Sequence, residues 1–146
     1  MKVLIEGRSR LRGVNRREVK RTAQRLLKLL SLDGAELSIL LVGDEEMRDI
    51  NLRYRGKDRP TDVISFAMGE GEFGDLNEYM LGDIIISLAT AGRQAAERGV
   101  TVREELDFLL IHGILHLCGY DHEKSEQERL KMEEKERELM EALEQV

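Results

Sequence analysis

The feature that most constrains this chain is its set of three histidines, which all fall within eleven residues. They form the pattern H-x-x-x-H-x-x-G-x-x-H, with His112, His116, Gly119 and His122 at its fixed positions. Residues four apart lie on the same face of an α-helix, so His112 and His116 can present two imidazoles to one ion. Gly119 predicts the end of that helix, because glycine enters the left-handed conformation without steric cost. The chain can then fold back and bring His122 to the same point from another direction.

Three imidazoles with a fourth position left open are typical of a catalytic zinc site, since structural sites usually have four protein ligands. We therefore expect one Zn²⁺ ion bound by His112, His116 and His122. Zinc proteases of the metzincin class share this spacing, but a glutamate follows their first histidine and acts as general base. Here that position is Gly113, so we expect hydrolysis of something other than a peptide. Cys118 is predicted to be a small core residue and not a ligand.

Length and composition limit the protein class. A chain of 146 residues with 41% hydrophobic content predicts one globular domain over residues 1–146. It contains no apolar run long enough for a transmembrane helix or a signal peptide, so no membrane association is expected. The single cysteine fits a reducing cytoplasm.

Charge is distributed unevenly along the chain. The net charge is −6, yet residues 1–30 contain ten basic and two acidic residues, which gives +8. Residues 123–146 carry −4, and a second basic run lies at residues 53–59. Local charge governs binding of a polyanion more than total charge does, so these basic segments are candidate nucleic-acid contacts. The alternative for each run is an ordinary solvated surface, and we prefer that interpretation for the acidic tail.

Periodicity and turn signals predict an α/β (α+β) fold with about four strands and about five helices. Strands are predicted at residues 2–6, 37–42, 63–66 and 84–86, and a loop at 69–80. Helix caps are predicted at Asn15, Asp44, Thr101 and Ser125, and Gly99 is expected to end an alanine-rich helix. The helix that carries His112 is apolar nearly all round, so it is expected to be central, in a zincin-like arrangement.

A second motif resembles a known family. Residues 51–66 read N-L-R-Y-R-G-K-D-R-P-T-D-V-I-S-F, and residues 81–84 read L-G-D-I. Together with the histidine motif, they resemble the YbeY family of bacterial rRNA maturation factors over most of the chain. Ala67 departs from the family, which often has proline there. The resemblance implies a metal-dependent endoribonuclease acting on single-stranded RNA, in ribosomal RNA processing (notably the small-subunit 3′ end) and in ribosome quality control.

The resemblance also implies site residues and partners. His112, His116 and His122 match the family's zinc ligands, and Arg55 matches its functional arginine. The ribosome, or its small subunit with associated proteins, is the implied partner. This chemistry is sound, because zinc lowers the pKa of bound water to about 7 and a separate strong base is not needed. Arginine suits a phosphate because its planar fork can bond two oxygens at once.

Several alternatives stay open at this point. Arg53, Lys57 and Arg59 are possible RNA-backbone contacts. Asp121 either orients a histidine or caps the turn after Gly119, whereas turn chemistry is expected of Asp62 and Asp83. The nucleophile is either zinc hydroxide or the 2′-hydroxyl of the RNA.

Two other functions compete with the nuclease. One is a ribosome-assembly factor with a largely structural zinc, and the other is a metallopeptidase. Three Tyr, three Phe and no Trp leave little material for base stacking, so we expect RNA binding led by the backbone. The sequence does not indicate the oligomeric state.

Overall fold

A computed structural model describes residues 2–7, 9–67 and 80–145, which form four strands and five helices. In chain order these are β1 (Lys2–Gly7), α1 (Arg16–Leu29), β2 (Glu36–Val42), α2 (Asp44–Arg55), β3 (Val63–Ala67), β4 (Met80–Ser87), α3 (Leu88–Arg98), α4 (Val102–Leu117) and α5 (Glu126–Glu144). This confirms the predicted fold class, with boundaries that differ by a few residues. The predicted loop 69–80 lies outside the described residues except for Met80, which begins β4.

The four strands form one mixed sheet in the order β1-β2-β4-β3. The β1–β2 and β2–β4 pairs are parallel, whereas β3 is antiparallel to β4. Side chains alternate across a strand, so Leu37, Ile39 and Leu41 share one face, where each is 1% exposed. They belong to a cluster that also contains residues of α1, α3, α4 and α5. The main core therefore lies between this face and four helices, while α2 packs on the other face through a smaller cluster around Met47.

Helix α4 is the central helix, as predicted. It contacts α1, α3, α5, β3 and β4, and its residues Leu110, Ile111, Ile114 and Leu115 are 0% exposed. Rigid surroundings of this kind hold metal ligands in a fixed geometry.

The helix starts follow the predicted caps with one exception. Asn15, Thr101 and Ser125 each accept a backbone N–H in the first turn of the following helix. Asp44 is not a cap, because Gly43 occupies the cap position of α2 and Asp44 is its first residue. Its carboxylate instead accepts hydrogen bonds from the hydroxyls of Ser87 and Thr90, at 2.7 and 2.6 Å. It therefore joins the starts of α2 and α3.

Helix α5 docks through a narrow apolar stripe in which Met132 and Leu139 are buried. Its C-terminal end is held by Arg25 of α1. The Arg25 guanidinium donates to the last carbonyls of the chain, those of Ala142, Leu143 and Gln145, at 3.0, 3.1 and 2.7 Å. Arg25 therefore has a structural role among the N-terminal cations. No helix in the described part of the chain is both long enough and apolar enough to cross a bilayer.

Candidate metal centre and its cavity

The three histidines meet at the C-terminal end of α4, as their spacing predicts. The ring centroids of His112 and His116, one turn apart, are separated by 4.8 Å. The His122 ring, from the turn after the helix, lies 5.3 Å from the first ring and 5.4 Å from the second. One nitrogen from each ring lies within 4.8 Å of the other two. This is the arrangement that three ligands of a single ion require.

Gly119 makes the chain reversal that returns the third histidine. Its φ is +98°, and its N–H donates to the carbonyl of His116, while the N–H of Tyr120 donates to that of Leu115, each at 3.0 Å. This pair of bonds is the Schellman motif, which confirms the predicted role of the glycine. Cys118 forms the last position before the reversal and is exposed. The prediction that it belongs to the core was wrong, because the helix ends before it can turn inward.

The residues present fit a metal ion. Nδ1 of His122 is buried and has no hydrogen-bond partner among the described residues, and an unsatisfied buried group costs about 1–3 kcal/mol. Burial lowers the pKa of His116, and the neighbouring His112 and His122 lower it further. A lowered pKa favours the neutral imidazole that binds a metal. Imidazole donors suit zinc, copper, iron or nickel and not magnesium or calcium.

Glu136 of α5 fixes the orientation of one ligand. Its Oε2 lies 2.8 Å from Nδ1 of His112, and Glu136 is 8% exposed. When Nδ1 carries the proton and donates to this carboxylate, Nε2 retains its lone pair for a metal. Sequence reasoning missed this residue. A signal was present, because Glu136 lies four residues after Met132 and three before Leu139, in the middle of the buried stripe of α5.

Gly113, which stands where zinc proteases have a glutamate, is tightly packed. A β-carbon at this position would lie 3.1 Å from Cδ1 of Ile84 and 3.2 Å from Oγ of Ser65. Ile84 is 0% exposed, so it cannot move without disturbing the core. The Ser65 hydroxyl also donates to the carbonyl of Gly113 at 3.2 Å. A larger residue after the first histidine would therefore require Ile84 or Ser65 to shift by a few tenths of an ångström.

The imidazoles open into a cavity of about 580 Å³ between α4, β3 and the end of α2. Arg55, the last residue of α2, lines this cavity together with the three histidines. Its side chain is exposed, and no hydrogen bond or ion pair with a described residue holds it. The structure thus brings Arg55 into the cavity of the three histidines, with no partner for its guanidinium in the described part of the chain. An open side is expected of a catalytic centre and not of a closed structural one.

The loop after Arg55 is tied back to α2. The Arg48 guanidinium donates to both carboxylate oxygens of Asp58, at 2.6 and 3.1 Å. The side-chain amide of Asn51 donates to the carbonyl of Arg59 at 2.8 Å. The ion pair is exposed and screened by solvent, so it adds little by itself, but together these bonds fix the path of the chain beside the cavity.

A larger groove of about 720 Å³ lies between α2 and the sheet; none of the three histidines lines it, but Tyr54 and Phe66 line both this groove and the histidine cavity. Its charged lining is mainly acidic, with Glu6, Glu46, Asp49 and Asp83. Four carboxylates repel a polyanion, so this groove does not suit RNA. Arg53, a predicted backbone contact, lines this groove instead of the histidine cavity.

The remaining acidic residues near the site have structural roles. Oδ1 of Asp121 accepts the N–H of Glu123 at 3.0 Å, so of the two predicted roles the structure shows the turn cap. Oδ1 of Asp62 accepts the next backbone N–H at 2.7 Å, which confirms turn chemistry there. Asp83 lies inside β4, so the same expectation was wrong for that residue.

Comparisons with known proteins place these features in a family. Residues 5–144 match the family model described as Endoribonuclease YbeY. A protein named Endoribonuclease YbeY from Geobacter sulfurreducens is 50% identical over 99% of this chain and 97% of its own length. The protein of the same name from Aquifex aeolicus is 47% identical over 84% and 80%. The solution structure of TM1509 from Thermotoga maritima is similar with a TM-score of 0.66 and 29% identity, over 95% of this chain and 87% of that one.

Proposed function

Because this chain belongs to the YbeY family of endoribonucleases, we propose that it is a zinc-dependent nuclease that cleaves single-stranded RNA during ribosomal RNA maturation. One observation carries the proposal. Three imidazoles face an open cavity that is also lined by Arg55, whose side chain has no partner among the described residues. This combination offers a metal site and a phosphate site in one space.

Each residue has a defined task in this proposal. His112, His116 and His122 hold the ion, and Glu136 keeps the first imidazole in the orientation that exposes Nε2. When bound, zinc supplies a Lewis acid that polarises phosphoryl oxygens and lowers the pKa of water. The Arg55 guanidinium donates to two phosphate oxygens and stabilises the negative charge that builds on them during cleavage. The attacking oxygen comes from water or from the 2′-hydroxyl. A 5′-phosphate product indicates water, and a 2′,3′-cyclic phosphate indicates the 2′-hydroxyl.

The same proposal extends to the biological setting. We assign the reaction to the 3′ end of small-subunit rRNA and to ribosome quality control in the cytoplasm. The cavity offers few groups that read base edges, so the small subunit and its proteins would direct the cleavage position. The basic N-terminal segment supports contact with this polyanionic partner.

The test is cleavage of a single-stranded rRNA fragment by the purified protein and three variants, with zinc measured in each preparation. His116→Ala should lose both zinc and cleavage. Arg55→Glu should keep zinc and lose cleavage by 10²-fold or more, on the order expected when transition-state charge stabilisation is removed. Arg53→Glu is the matched control, because it makes the same charge change on the same helix outside the cavity.

Equal cleavage by all four proteins would indicate a contaminating nuclease and would contradict the proposal. A ribosome-assembly factor with a structural zinc would then be the better description. In that case, removal of zinc should also unfold the protein. A metallopeptidase receives no support, since Gly113 stands where such enzymes carry their general-base glutamate.

A further inference from the structure

Three of the four aromatic residues in the described part of the chain lie at the candidate site. The chain has three Tyr, three Phe and no Trp. Tyr54, Phe66 and Phe108 all line the cavity of the histidines. The remaining aromatic of the described residues, Tyr120, packs against the main core. The sequence predicted little material for base stacking, and most of what the described residues offer lies in this cavity.

Two of these three rings are committed to protein contacts. Phe108 stacks on His112, with centroids 6.1 Å apart and planes inclined by 29°. The guanidinium carbon of Arg98 lies 5.5 Å from the Phe108 centroid. Phe66 is partly buried and packs against the small cluster around Met47. Neither ring offers a free face of much area to a ligand.

Tyr54 differs from both, since it is 62% exposed. Its ring meets Phe66 at a centroid distance of 5.3 Å and an angle of 68°. Such an edge-to-face contact stabilises the ring position while leaving much of the ring open. Tyr54 also precedes Arg55 in the last turn of α2, so ring and guanidinium start from Cα atoms about 3.8 Å apart. Both residues line the cavity of the histidines, so the exposed ring and the phosphate-binding group border the same space.

We propose that Tyr54 is a stacking platform for one nucleobase of single-stranded RNA, beside the phosphate that Arg55 holds. This inference rests on the proposed function and names how its substrate is recognised. Every base has a π-face, so a stacking site tolerates any sequence. Bases inside a duplex are already stacked on their neighbours, so this platform selects unpaired RNA. Discrimination of single strands then begins at Tyr54 and not at base edges.

The experiment uses the full-length, zinc-loaded protein and short single-stranded RNAs with 2-aminopurine at successive positions, read by stopped-flow fluorescence before turnover. Wild type should quench one position strongly. Tyr54→Phe, which keeps the ring, should do the same. Tyr54→Leu, which keeps apolar contact with Phe66, should lose the quenching and bind roughly ten-fold more weakly. Leu52→Ala is the control, because Leu52 is 48% exposed on the same helix and does not line the cavity.

An RNA with an abasic site at the quenched position separates stacking from folding. The affinity difference between wild type and Tyr54→Leu should disappear on this RNA, because no base remains to stack. The stacking role would be overturned if Tyr54→Leu lost as much affinity for abasic RNA as for the intact RNA. It would also be overturned if Tyr54→Phe lost as much affinity as Tyr54→Leu. If wild type cleaves RNA normally and Tyr54→Leu binds RNA as wild type does, this inference alone would be overturned. Absence of both RNA binding and cleavage in wild type would overturn the proposed function as well.

Discussion

Glu136 offers a sharp test of the metal centre, because it acts on the ion only through His112. Its carboxylate lies 2.8 Å from Nδ1 of that ring and is nearly enclosed by protein. Loss of such a partner typically lowers metal affinity 10- to 100-fold, which corresponds to about 1.4–2.7 kcal/mol. We therefore expect Glu136→Ala to weaken zinc binding by this amount. Glu136→Gln should fall between wild type and Ala, since its amide oxygen still accepts the Nδ1–H but carries no charge.

The affinity is measured by competition with a chromogenic chelator at pH 7.5 on the full-length protein. Glu134→Ala is the matched control, because Glu134 is an exposed glutamate two residues away on the same helix. The free energy of unfolding of each metal-free variant is measured in parallel. The orienting role would be refuted if Glu136→Ala bound zinc as tightly as wild type and only the stability of the metal-free protein fell. Glu136 would then be a packing residue.

Three further predictions concern packing, pH and helix docking. Gly113→Glu should destabilise the metal-free protein by about 1–3 kcal/mol, because its β-carbon forces buried Ile84 to shift; urea unfolding tests this, and stability equal to that of wild type would contradict it. Burial raises the pKa of Asp107 to about 6, so this group lowers stability as pH rises from about 4 to 6 and has no effect below that range. The full pKa shift would correspond to about 3 kcal/mol, but partial exposure of the carboxyl reduces this value. Asp107→Asn should therefore raise the free energy of unfolding by about 1 kcal/mol at pH 8 and leave it unchanged at pH 4. An equal increase at both pH values would exclude the buried carboxylate as the cause. Arg25→Ala should lower the free energy of unfolding by about 1 kcal/mol and fray the end of α5. Urea unfolding and amide hydrogen exchange of the last turn measure these two effects. Unchanged exchange in that turn would show that the three hydrogen bonds to carbonyls are not needed.

The features predicted correctly from the sequence are those that depend on local spacing. The histidine motif, the glycine reversal and the capped helix starts all act within a few residues, where helix geometry alone determines the result. Glu136 was missed because its contact spans 24 residues and depends on how α5 lies against α4. Asp44 was assigned to the wrong partner for a similar reason, since its carboxylate reaches the start of α3. The cavity role of Tyr54 likewise depends on where the end of α2 meets β3, which no local pattern determines.

The origin of the site in the chain has a consequence for how such a protein can diversify. The candidate metal ligands and Glu136 all come from one contiguous stretch, residues 112–136, whereas Tyr54 and Arg55 come from α2. In the proposed function, the residues that would hold the ion and those that would bind the substrate thus come from separate segments that share one cavity. Substitutions near residue 54 can alter which substrate binds in the cavity without changing the three histidines that would hold the ion. The segment that contains α4 and α5 thus carries the reactive groups, and the residues that select the polymer come from another part of the chain.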